Sequence, residues 1–111
     1  MPIFDAHLDL AYLAQCGRDM NSSDLANCGG KHPPAAITFP SLRQGHVTHC
    51  LGTIFTEALT GTPTDPIGEA FTYPLGDAQA ARHAGLRQLD TYHQRQREGL
   101  IRLMPRRGAT T

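Results

Sequence analysis

Tryptophan is absent from this chain of 111 residues, lysine occurs once (Lys31), and aromatic residues make up only 6% of it. Any core must therefore be modest and mostly aliphatic, because the rings that bury the most area are scarce. Excess charge of one sign is lacking too. Ten basic and ten acidic residues leave a formal net charge of zero, so no global basic field recommends a nucleic acid as partner. The bias of the basic residues towards arginine reads as a property of the coding genome and carries no function. Cys16, Cys28 and Cys50 are an odd number without a C-x-x-C pair, which is a poor disulfide framework and predicts a reducing compartment. No basic, apolar leader precedes Asp5, and no run approaches the roughly 20 apolar residues of a membrane span. The expectation is a cytoplasmic protein with no membrane partner.

What is present begins at the third residue with IFDAHLDLAYL. Ile3 to His7 reads as a short strand and DLAYLA as the loop or first helical turn after it. Residues 15–36, rich in Gly, Asn, Ser and Pro, read as a long loop, a kind of segment that in compact domains is usually functional or mobile. TFPSLRQGH predicts one or two helical turns, entered through Thr38 and Pro40 and stopped by Gly45. VTHCLGTIF (47–55) has apolar groups on both faces, as does a parallel strand covered on both sides. A second Pro- and Gly-rich loop follows, including a plain surface loop from Thr60 to Pro66. The spacing of Ala78, Ala81, Gly85, Leu89 and Tyr92 then predicts one face of a helix over roughly 75–98. Gly99 ends it, LIRLM reads as a third strand, and 105–111 is a polar tail.

Strands joined by helical crossovers indicate an α/β protein with a parallel sheet. Three parallel strands leave two bare edges, and a complete (β/α) barrel needs about 250 residues. The expectation is a single segment, 1–111, that opens something larger.

Asp5, His7 and Asp9 alternate, so as strand residues they share a face. His7 and Asp9 would project from the C-terminal end of the first strand, roughly 7 Å apart at Cα, near enough to converge on one ion. Neutral imidazole and carboxylate suit a borderline divalent metal such as zinc. H-x-D alone is weak, and the bland alternative is a buried hydrogen-bonded pair without metal. Asp5, one step deeper, reads as a group that orients His7 or a polar neighbour.

FDAHLDLAYL resembles the opening of the membrane dipeptidase family, renal-dipeptidase-like metallopeptidases whose first strand carries a D-x-H-x-D segment. The resemblance continues through FPSLRQGHVTHCLGTIFTEA, the helix with LRQLDTYHQ, and GLIRLM. It implies the N-terminal portion of a (β/α)₈ TIM barrel, about three strands with connecting helices, from an enzyme that hydrolyses dipeptides at a two-metal zinc centre. By position His7 and Asp9 would be ligands of one metal. The bridging Glu and two further His that the family uses have no counterpart here, so no catalytic residue is assigned within the chain. Ala6 and Leu8 stand where the family more often has Gly and a polar residue, which leaves substrate preference open. The resemblance implies a small dipeptide substrate, allows a homodimer of the full-length enzyme, and predicts an inactive, marginally stable species for the 111 residues alone.

Two rivals come from other classes. Cys28-x₃-His32 with His46-x₃-Cys50 superficially resembles a closed structural zinc module. On a strand, however, His46 and Cys50 would lie about 13 Å apart along one face, too far for one tetrahedral ion. Arg95, Arg97, Arg102, Arg106 and Arg107 form a local basic cluster, but Glu98 interrupts it and aromatic partners are missing, so a solvated helix face and tail is the better account. His46, His49, His83 and His93 read as surface or packing residues.

Overall fold

Period-two alternation at the N-terminus yields strand β1 (Ile3–Leu8), after which LAYLAQ folds as helix α1 (Leu10–Gln15). The computed structural model describes residues 1–59 and 71–104. The expected 60–66 loop and 105–111 tail, with Arg106 and Arg107, lie outside them. After the long loop, α2 (Phe39–Gln44) starts at Thr38, which forms a reciprocal cap. Ser41 Oγ accepts the Thr38 N–H at 2.8 Å, and Thr38 Oγ1 accepts the Ser41 N–H at 3.3 Å. Gly45 closes the helix as expected, and the chain reverses through His46 at φ 62°.

Strand β2 (Val47–Gly52) then returns parallel to β1, with Ile3 opposite Val47 and Leu8 opposite Gly52. The parallel pairing agrees with the sequence reading; the covering does not. Phe4 and Leu51 are well exposed, so β2 is not enclosed on both faces. A second parallel pair, β3 (Glu57–Leu59) and β4 (Thr72–Pro74), forms at the two ends of the segment expected to be loop. Short three-residue strands flanked by Pro and Gly give little periodic signal to read.

Helix α3 (Ala78–Arg97) begins under Asp77, whose carboxylate accepts the Ala80 N–H at 2.9 Å. Its buried positions are Ala84, Gln88 and Tyr92; of the expected face only Tyr92 is among them, and Ala78, Ala81, Gly85 and Leu89 are not. The face is rotated because a buried glutamine, invisible to an apolar pattern, takes a central place in it. Gly99 at φ 76° ends the helical run, as expected.

Residues 100–104 do not form the third strand. A strand needs a neighbour for its amides, and here the Leu103 N–H goes instead to Gln96 Oε1 at 2.7 Å. Leu100, Ile101 and Leu103 pack as irregular chain against the core of Leu8, Leu10, Ala11, Met20, Phe39 and Tyr92. The result is a small mixed α/β arrangement. No helix among the described residues is long and apolar enough to cross a membrane.

Candidate functional site

Asp9 stands at the N-cap position of α1, yet its side chain makes no capping hydrogen bond. Its carboxylate turns instead to two partners. His7 Nε2 lies 3.1 Å from Asp9 Oδ1, and the Thr53 hydroxyl, just past β2, donates to the same oxygen. Thr53 is held in turn: its N–H donates to Leu8 O at 2.9 Å, and its carbonyl accepts the Tyr92 hydroxyl at 2.6 Å. Tyr92 thereby braces the C-terminal ends of both strands from α3. Gly52 permits this approach, since a Cβ there would stand 3.0 Å from the Tyr92 ring.

The side chains of His7 and Asp9 thus meet as a hydrogen-bonded pair, but the pair is not buried: the His7 side chain is 71% exposed and that of Asp9 33%. Asp5 orients His7 differently from the expectation. Its carboxylate accepts the His7 backbone N–H at 2.9 Å rather than a ring nitrogen. Beside it, the Cys50 thiol is pushed up from its ordinary pKa by burial and by the Asp5 charge.

The four residues of the zinc-module reading serve elsewhere. Cys28 is buried with its thiol towards Leu25 O, and the Tyr12 hydroxyl lies 2.8 Å from His32 Nε2. His46 occupies the turn after α2, and Cys50 sits on β2 opposite Asp5. Among the described residues no three His, Cys, Asp or Glu side chains gather as a group able to hold a metal ion. His49 is exposed and engages Thr48 Oγ1, and Arg95 pairs with Glu98 at 3.0 Å. Neither departs from the surface role expected of it.

Next to His7 and Asp9 lies an open cavity of about 380 Å³, also walled by Tyr12, Arg18, His32 and Ile37. Tyr12 anchors it through edge-on contacts with Phe55 and Phe71, at 5.1 and 4.8 Å between centroids. Burial, with Cys16 next in weight, pushes the Tyr12 phenol up to about 12. Thr53, Tyr92, Tyr12 and Arg18 were not singled out by motif. The one signal available for Thr53 was its place at the C-terminal end of a strand parallel to β1.

Comparison with protein-family models, with curated proteins and with solved structures gives no match.

Imidazole nitrogen and carboxylate oxygen are donor types that zinc takes, and here the two stand at hydrogen-bond distance from each other, 3.1 Å. Two donors are half of the four such an ion takes.

Proposed function

We propose that this chain is the N-terminal part of a metal-dependent dipeptidase barrel, with His7 and Asp9 contributing two ligands to one zinc ion and the remaining ligands lying beyond these residues. The observation that carries the reading is the convergence of His7 Nε2 and Asp9 Oδ1 at the C-terminal mouth of a parallel strand, beside an open cavity. That is where (β/α) enzymes assemble their sites. It is supported by the Asp9 carboxylate leaving its cap position to meet His7.

When bound, such a centre supplies a water ionised near neutrality and an electrophile for the scissile carbonyl. The chain's own residues do the holding. Asp9 brings the negative charge, and Thr53 orients it by donating to Oδ1. His7 brings a neutral nitrogen, and Asp5 pins its backbone. With half a ligand set, the 111 residues alone should not turn over dipeptides.

Cobalt(II) titration tests the reading. A weak one-to-one complex without a thiolate charge-transfer band is expected, lost in His7→Ala and in Asp9→Ala and unchanged in Cys28→Ser and Cys50→Ser. Equal cobalt binding by the wild type and both ligand variants would sink it. A thiolate band that disappears with Cys28→Ser would instead favour the zinc module.

A further inference from the structure

Arg18 is only 6% exposed, a rare burial for a permanent positive charge. Its Nη1 donates to Ile37 O at 3.2 Å and its Nη2 to Lys31 O at 3.0 Å. Both acceptors are neutral carbonyls. Among the described residues no carboxylate pairs with the guanidinium, and its Nε is a buried donor with no hydrogen-bond partner. A buried cation compensated only by neutral dipoles is costly, and an orphaned donor adds to that cost. The backbone is nevertheless shaped around this residue. Gly30, at φ 78°, packs against the Arg18 main chain, so close that a Cβ on it would come within 2.7 Å of the Arg18 backbone nitrogen. Arg18 also forms a wall of the cavity beside His7 and Asp9.

We infer that Arg18 is the anchor of a carboxylate-binding subsite in this cavity. A planar carboxylate is the complement of a guanidinium fork, accepting from neighbouring N–H groups at once, and it would supply both the missing charge and the missing acceptor for Nε. The two carbonyl bonds leave the group oriented in advance, so little side-chain freedom is lost on binding. At about 380 Å³ the cavity lies within the range of small-molecule sites, at its lower end. The inference does not depend on the metal reading: it asks nothing of His7 or Asp9 as ligands.

The Arg18 Nε–H reports directly, because it is the orphaned donor and has its own nitrogen–proton NMR signal. The ¹⁵N-labelled chain, with chelator present, is titrated with acetate, with acetamide and with chloride at matched ionic strength. Acetate should move the Arg18 Nε–H saturably, while its neutral isostere acetamide and chloride leave it in place. The same shift should persist in His7→Ala, which separates this subsite from the metal site. In Arg18→Lys, which keeps the charge but loses the fork, the acetate affinity read at the Leu13 and Ile37 amides should fall at least tenfold. An Nε–H that acetate does not move, or that acetamide or chloride moves equally, would overturn the inference. So would inorganic phosphate binding more tightly than acetate, since the class of anion would then be wrong. If Arg18→Lys does not fold, the wild-type Nε–H titration alone decides.

Discussion

The two ends of the β1–β2 pair are treated differently by the rest of the molecule. At the C-terminal end, Leu8 is buried and Thr53, Tyr92 and Asp9 form a continuous chain of hydrogen bonds from α3 to the mouth of β1. At the N-terminal end, Ile3 and Phe4 are 48% and 60% exposed. Both ends carry apolar residues, Ile3 and Phe4 at one and Leu8 at the other. What separates them is the direction of the crossovers: α1 leaves β1 at its C-terminal end, and α3 packs on α1 and β4. Elements that follow β1 in sequence cover the end from which its chain departs, with Leu8, Leu10 and Ala11 buried there.

If that account is right, the largest effect should come from α3, whose Gln88 ties the chain just past β2. Gln88 is fully buried, and its amide serves both backbone groups of Phe55: Oε1 accepts the N–H at 2.7 Å and Nε2 donates to the carbonyl. Gln88→Ala leaves two peptide groups without partners and opens a void. The expected loss is about 2–4 kcal/mol, read as a lower midpoint in urea unfolding. A change below about 1 kcal/mol would mean that the C-terminal end does not depend on this clamp.

Gln88 also explains what the sequence concealed. The helix itself was legible, since the apolar spacing and Gly99 both mark it. Its buried face was not, because an apolar period cannot register an amide whose partners lie 33 residues away. The same holds at the site. His7 and Asp9 were legible, because alternation along one strand is a local matter. Thr53 and Arg18 were not, because their roles come from chain brought near by the crossovers. The failure at 100–104 is of a third kind: a β-prone stretch such as LIRLM becomes a strand only beside an available edge.

A smaller effect is expected at alkaline pH, from Tyr12. Its phenol is raised from an ordinary value near 10 to about 12, chiefly by burial. The folded chain therefore holds this proton more tightly than the unfolded one. Between those two values the folded state binds more protons, so the contribution is complete below about pH 10 and lost as pH rises towards 12. Burial raises the Tyr92 phenol as well, so phenolate absorbance during alkaline titration should show a late step that Tyr12→Phe reduces without abolishing. If the late step keeps its full amplitude in that variant, Tyr12 is not a group held neutral beside the cavity.

The smallest effect should come from the open end of the sheet. Phe4 is already mostly in water, so Phe4→Thr removes little buried area while keeping a residue suited to strands. The stability of the monomer should change by about 0.5 kcal/mol or less. The exposed ring has a different consequence. Together with Ile3 it makes this end of the bare strands prone to pairing with other chains. Sedimentation of wild type and Phe4→Thr over a concentration series should therefore show weaker self-association in the variant, at nearly equal urea midpoints. A Phe4→Thr loss as large as that of Gln88→Ala would break the contrast between the two ends. It would mean that Phe4 is covered in solution, and that the two ends of the sheet are equally supported.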